Sequence, residues 1–472
     1  MKKKALVLLI GITLSFSLKA QTLDDYLVIA AENNPGLKAS YSQYLAALER
    51  SKQPGLPDPQ LQVGFFFKPM ERFMGNQQAD IQLMQMFPWF GMLTTQKDEA
   101  NRMALAQYQL FLDEENQLLF QVKSTWYELF RLNEEIRISL ENLEYLKIYE
   151  RLALIKFQAA TPNPSGSILS NPDNPSSMPS QAGSSTGTAG MNSMGGKTTQ
   201  ASAANSTGGG MTSGGMSNPG LGMSDVLRIR IDMKELEYSI TQLQANLEPL
   251  KIKFNQLLNR EMQEEIKLAA ALEPAILELE KREILDSIWK RNPMLAMYDA
   301  EMAAYDLQNK MAKLDGRPMI GAGVTYMPFK SRLEDGMPMG GDDMFMPMVT
   351  MTLPIYRKKT QAKIKEADYL KEAAFQNRQK TENLLAMEWA NAIRDWEEAE
   401  RKIQLYSEQT ELVKQNLNLL VTTYSSSGQE FEEVLRAQQQ LLDYQLKRIN
   451  SINQQYQSLV MLEMLASSKF NP

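Results

Sequence analysis

The sequence predicts a mainly α-helical chain with a small membrane β part: long antiparallel coiled-coil helices and two β-hairpins. Three observations lead there. Residues 93–159 and 358–427 contain neither proline nor glycine and are rich in Leu, Ala, Glu, Gln and Lys, residues that lose least on entering a helix. At about 1.5 Å per residue each stretch makes a rod on the order of 100 Å long, beyond what globular domains normally use. Four short segments alternate apolar with small or polar residues at period two, and they come in two pairs. The whole arrangement then occurs twice.

At the N-terminus, Lys2, Lys3 and Lys4 precede an apolar run from Ala5 to Leu18, and Ala20 follows. This reads as a secretory signal peptide over 1–20, too short to span a bilayer, which takes about 20 apolar residues. The remaining chain, 21–472, reads as one domain of two structural repeats, 21–260 and 280–472. Composition limits its chemistry. The chain has 472 residues with no Cys and no His, which removes disulfides, thiolate chemistry and the commonest general base and metal ligand. Lys and Arg number 50 against 56 Asp and Glu, a net charge of −6, which argues against a nucleic-acid partner. No G-x-x-x-x-G-K-[ST] loop is present and the carboxylates are scattered along helices, so neither an enzyme nor a cofactor is expected.

The first hairpin spans 58–90 and contains Pro59–Phe67 and Asp80–Phe87; the second spans 318–356 and contains Met319–Tyr326 and Met348–Leu353. Leu61, Val63, Phe65 and Phe67 share a face opposite Gln60, Gln62 and Gly64. Ile320, Ala322, Val324 and Tyr326 oppose Gly321, Gly323 and Thr325, while Val349, Met351 and Leu353 oppose Thr350 and Thr352. One apolar and one wettable face, at roughly 9–11 residues, suit a tilted membrane strand. The repeat is explicit around them. Asn34-Pro35 and Asn292-Pro293 each sit in a helix ahead of a first strand. Phe87-Pro88-Trp89-Phe90 and Leu353-Pro354-Ile355-Tyr356 each end a second strand, and a long helix follows. Ser224-Asp225-Val226-Leu227-Arg228 and Glu432-Glu433-Val434-Leu435-Arg436 then each open a return helix. The turns differ, because 161–222 is an insertion dominated by Ser, Gly, Asn, Pro, Thr and Ala, with Asp173 and Lys197 its only charges. It cannot bury enough apolar surface to offset its ordering entropy, and disorder is expected.

Four strands cannot close a barrel, and an open edge in lipid leaves backbone groups unpaired. In a membrane several chains must therefore share one barrel, and three copies supply twelve strands. The alternative is a small β layer packed on helices in a soluble periplasmic coiled-coil adaptor or structural protein.

The duplicated order of Asn-Pro starts, hairpins, long helices and Asp/Glu-Val-Leu restarts resembles the TolC-type outer-membrane efflux proteins over all but 161–222. The resemblance implies a homotrimer with a twelve-strand β-barrel in the outer membrane, standing on an α-helical barrel that crosses the periplasm. It implies a passive exit duct working with a periplasmic adaptor and an inner-membrane pump. Asp225 and Glu433 match the acidic position of the family's periplasmic gate, although Arg436 stands where some relatives carry a second acid. Ser224-Asp225 equally suits a helix N-terminus. Adaptor docking falls at the tips, near Gly222 and Gly428, and the insertion lands in the first of these. Trp89, Phe90 and Tyr356 follow the second strands where barrels carry an aromatic girdle, or pack the strand-to-helix joint.

Methionine is the remaining signal. Of 30 in the chain, several crowd into residues 337–351, and Met70 and Met74 occupy the corresponding loop of the first hairpin. Met337, Met339, Met344 and Met346 are candidate ligands for Cu(I) or Ag(I), because thioethers are soft donors. Some relatives in the family export these metals. The other reading is that methionine fills irregular space or faces lipid.

Overall fold

The computed structural model describes residues 22–72, 74–160, 221–268, 271–277, 280–427 and 431–469. The expected signal peptide and nearly all of the expected insertion lie outside these residues.

The first half runs α1 (Leu23–Asn33), α2 (Pro35–Arg50), β1 (Gln60–Arg72), β2 (Gly75–Phe87), α3 (Met92–Ala160) and α4 (Leu221–Leu257). The second runs α5 (Lys281–Arg291), α6 (Pro293–Asp315), β3 (Ile320–Met327), β4 (Phe329–Lys330), β5 (Arg332–Glu334), β6 (Met337–Met339), β7 (Met344–Met351), α7 (Arg357–Ser427) and α8 (Phe431–Ala466). The two long helices hold 69 and 71 residues.

The Asn-Pro pairs separate helices; they do not sit inside one. Asn34 closes α1 and opens α2, and Asn292 does the same between α5 and α6. A residue before proline is pushed out of the helical region, while proline itself is well placed at the first helical position. Each Asn side chain does two jobs. Asn34 Oδ1 accepts from Leu37 N at 3.1 Å and its Nδ2 donates to Leu257 O, at the end of α4, at 3.0 Å. Asn292 Oδ1 accepts from Met294 N and its Nδ2 donates to Leu465 O, near the end of α8, both at 3.0 Å. The motif thus caps one helix and ties it to the C-terminal end of another.

The helices form a layer. Towards one end α4 packs on α3, α3 on α8 and α8 on α7; towards the sheet α2 packs on α3, α3 on α6 and α6 on α7. The large core lies midway, where Tyr26, Trp126, Phe254, Trp396 and Tyr456 gather with Leu and Ile from α1, α5 and α8. A second core, around Tyr149, Ile229, Tyr424, Phe431 and Leu435, closes the end remote from the sheet.

The sheet has the order β1-β2-β3-β7, all antiparallel, with β4 continuing the line of β3 against β2. The strands exceed the expected hairpin strands. β1 continues through Pro69 to Arg72 with a register shift between Phe65 and Met70, a position where proline is tolerated. β7 starts at Met344 and not at Met348, because Pro347 sits on what is an edge strand of this chain's sheet, where a missing N–H is tolerated. The β5–β6 hairpin was not foreseen. Its signal was present in Asp335-Gly336, a dipeptide suited to a tight hairpin turn, and both residues have positive φ (49° and 80°).

Candidate functional site

Two regions bring candidate residues together: the helical tips remote from the sheet, and the sheet itself.

At the tips, α4 is already helical at Leu221, so Gly222 lies in its first turn and the expected insertion ends two residues earlier than its predicted boundary of 222. Ser224 and Asp225 therefore sit one turn inside the helix, and Ser224 does not occupy a capping position. Gly428 lies outside the described residues. Asp225 and Glu433 do not form a matched pair. Glu433 Oε1 meets Arg436 Nη1 on its own helix at 3.2 Å. Of the two acids that open α8, Glu432 is the one that links the halves, meeting Arg228 of α4 at 3.1 Å and Arg436 at 3.5 Å. Sequence reasoning missed Glu432 and Arg228 because adjacent acids and the restart arginine look equivalent until the helix faces are fixed. The Asp225 carboxyl is held above its ordinary value of 3.8, chiefly by partial burial, with Glu432 adding repulsion and Arg228 opposing both.

Further contacts lock the tips. Arg230 Nε meets Glu150 Oε1 at 2.6 Å, and Gln439 Nε2 donates to Asp232 Oδ2 at 3.2 Å. Lys156 Nζ donates to the Tyr424 carbonyl and lies 4.4 Å from the Tyr424 ring centre, while that ring packs 4.8 Å from Phe431. Below them Gln438 Nε2 donates to Asn142 Oδ1 at 2.5 Å and Tyr149 Oη donates to Gln438 Oε1 at 3.2 Å.

In the sheet, register assigns every side chain to a face. Leu61, Leu83, Val324 and Pro347 form one cross-strand row, and Val63, Ile81, Tyr326 and Phe345 the next. This face is apolar and exposed, with Phe65, Ile320 and Val349 on it. The opposite face carries Gln60, Gln62, Gln82, Gly321, Gly323, Thr325 and Thr350. The four methionines proposed as ligands do not assemble. Met337 and Met339 stand exposed on β6, while Met344 and Met346 lie on the polar face of β7 with Met348. Met344, Met346 and Met348 form one face of β7, shared with Thr350 and opposite Val349. Trp89, Phe90 and Tyr356 lie where expected, between the sheet and α3 or α7; Phe90 and Tyr356 are exposed and Trp89 meets Phe90 edge-on at 6.2 Å.

Residues 284–467 match the family described as outer membrane efflux protein. No curated protein matches the sequence. Among solved structures, the outer membrane protein VceC from Vibrio cholerae superposes with a TM-score of 0.65 at 12% identity, covering 95% of this chain and 97% of that one. The Campylobacter jejuni CmeC outer membrane channel gives 0.66 at 13% identity, covering 95% and 86%. CusC, described as forming a transmembrane channel, gives 0.64 at 12% identity, covering 95% and 93%. The fold is the one these channel structures share.

Proposed function

We propose that this chain, an outer membrane efflux protein by the family of residues 284–467 and by its channel fold, is one third of a homotrimeric exit duct. Its place is the outer membrane, with the helices reaching into the periplasm. The observation that carries the trimer is that the sheet and the helical layer both end unpartnered on the same two sides. β1 and β7 pair with no further described strand, which lipid does not permit. On the helical layer α7 packs only inward and α4 packs on α3, yet Leu412 and Leu419 of α7 and Ile231 and Tyr238 of α4 are exposed. Repeating the chain about a threefold axis joins β7 to the next β1 and α7 to the next α4, giving twelve strands.

The duct conducts passively, since the chain has no nucleotide-binding loop, and energy comes from an inner-membrane pump reached through a periplasmic adaptor. The adaptor docks at the tips around Gly222 and Gly428, where Asp225 and Glu433 line the gate and the Glu432–Arg228 link holds the closed state. Trp89, Phe90 and Tyr356 form the girdle at the inner edge of the membrane. The narrower form of this reading is that the cargo includes a soft metal ion, Cu(I) or Ag(I), supported by the methionine content of the second hairpin.

The test is fractionation of expressing cells followed by unheated gel electrophoresis of detergent extracts. The expected result is an outer-membrane species migrating near three times the mass of the heated chain. Recovery as a soluble periplasmic monomer overturns the duct and favours a coiled-coil adaptor.

A further inference from the structure

The ion pairs between α6 and α7 follow one rule along most of their contact. Asp299 meets Arg378 at 2.8 Å, Asp306 meets Lys371 at 2.8 Å and Asp315 meets Lys363 at 2.6 Å, so α6 supplies the acid and α7 the base each time. The rule stops at the sheet end of the two helices. There α6 and its exit carry Lys313 and Arg317, and α7 opens on Arg357, Lys358 and Lys359. All five are exposed, and none forms an ion pair among the described residues. Residues 313–319 and 352–363 together hold six cations and one acid, whereas the matching junction of the first half, residues 49–59 and 88–98, holds three of each. The duplication therefore accounts for the fold of this junction and not for its charge.

The cations surround a groove. Gly316, the C-cap of α6, lets Thr360 approach so closely that an added Cβ would lie 3.0 Å from Thr360 Cγ2. This contact brings the two helix ends together and leaves beside it an open cavity of about 620 Å³, lined by Lys313, Arg317, Arg357 and Thr360 between Pro318 and Pro354. Like charges gathered round one cavity repel each other, and an anion seated among them replaces that repulsion with attraction. The cavity lies at the foot of the apolar face of the sheet. Ile320, Met351 and Leu353 end that face, and Ile355 and Tyr356 are exposed beyond it. Arg317 stands three residues before Ile320 and Arg357 four after Leu353, at most roughly 11 and 14 Å of chain away. Hydrocarbon gives way to headgroups over such a distance, and Tyr with Lys or Arg is the residue set that settles there.

We propose that this groove holds the phosphate of an anionic phospholipid in the periplasmic leaflet of the outer membrane, one site per chain and three per duct. Lys313, Arg317 and Arg357 take the phosphate, and the exposed Leu353 and Ile355 lie along the acyl chains. The proposal rests on the duct reading above, since only a sheet seated in the membrane puts lipid at this level. Three such contacts fix the depth of the duct in the bilayer.

The test is native mass spectrometry of the assembled full-length protein in detergent, titrated with phosphatidylglycerol and, as the zwitterionic control, phosphatidylcholine. Wild type is expected to retain up to three phosphatidylglycerol molecules per oligomer in preference to phosphatidylcholine. A basic side chain near an anionic lipid surface is worth about fivefold in affinity, so Arg357→Gln alone should weaken phosphatidylglycerol binding about fivefold. The set Lys313→Gln, Arg317→Gln and Arg357→Gln should weaken it at least tenfold while migrating as the same unheated oligomer. Arg50→Gln and Lys97→Gln, at the first junction, should leave it unchanged. Equal retention of the two lipids by wild type overturns the site and leaves the duct standing. So does lipid binding that survives the triple substitution while ion selectivity in planar bilayers changes, which would place these cations in the lumen. Failure of wild type to assemble at all overturns the duct, and the lipid site with it.

Discussion

Single side chains decide how the two halves of this chain are joined. Asn292 is buried, and its substitution by Ala removes a helix cap, about 0.5–2 kcal/mol, and leaves the Leu465 carbonyl short of a donor at about 1–3 kcal/mol. Asn34 makes the same pair of bonds from a half-buried position. Thermal unfolding of the assembled protein should therefore drop further for Asn292→Ala than for Asn34→Ala; equal losses would mean that burial adds nothing to the cap. At the tips, Glu432 spans the halves and Glu433 does not. Exposed ion pairs contribute roughly 0.2–1 kcal/mol each, so Glu432→Gln should raise the open fraction of the channel by up to about fivefold in planar bilayers. Glu433→Gln should change it little, and the reverse order would return the gate to the residue expected from the sequence. Asp225 is held above its ordinary value by burial. Its favourable contribution is therefore present below the unfolded value near pH 3.9 and is lost as pH rises through the folded value. Asp225→Asn should increase amide protection in α4 at pH 7 and match wild type below about pH 4; a variant that is less protected at neutrality contradicts this.

Within the elements, period two and register explain most of what the sheet does. Val349 lies on the apolar face with 83% of its surface exposed, and Thr350 lies beside it on the other. Val349→Arg should cost about 2–4 kcal/mol if its level is near the bilayer midplane and should reduce the yield of the outer-membrane species. Thr350→Arg should assemble normally and alter conductance. Two variants with the same assembly yield would show that neither face meets lipid. The face assignment was legible in the sequence, because Met344, Met346 and Met348 share parity with Thr350. The full length of the strands was not, since Pro347 and Pro69 argue locally against strand, and only their edge and irregular positions in the sheet allow them.

For the whole molecule, the unpartnered sides of sheet and helical layer make a joint prediction. Ile231→Arg on α4 and Leu412→Arg on α7 each place a charge on an apolar side chain that is 66% and 64% exposed in the single chain. If the next copy covers these sides, each variant buries an unpaired charge at about 3 kcal/mol or more and the unheated oligomer is lost. Intact oligomer in both variants would move the subunit contact elsewhere. A duct closed by contacts between copies should have a stability that depends on protein concentration as well as on sequence.

The sequence by itself determined the lengths of the two great helices, the alternating faces of the strands, the duplication and the proline-defined starts of α2 and α6. These are local properties: propensity, side-chain period and the steric limits of proline act within a few residues. Only the tertiary structure decided that Asn34 and Asn292 each bond to the far end of another helix. It also decided that Glu432 and not Glu433 reaches Arg228, that β2 and β3 lie side by side, and that Met84 and Met348 share a row across Gly323. Those facts depend on which distant segments meet and in what register, and a shift of one residue would turn every strand side chain to the other face.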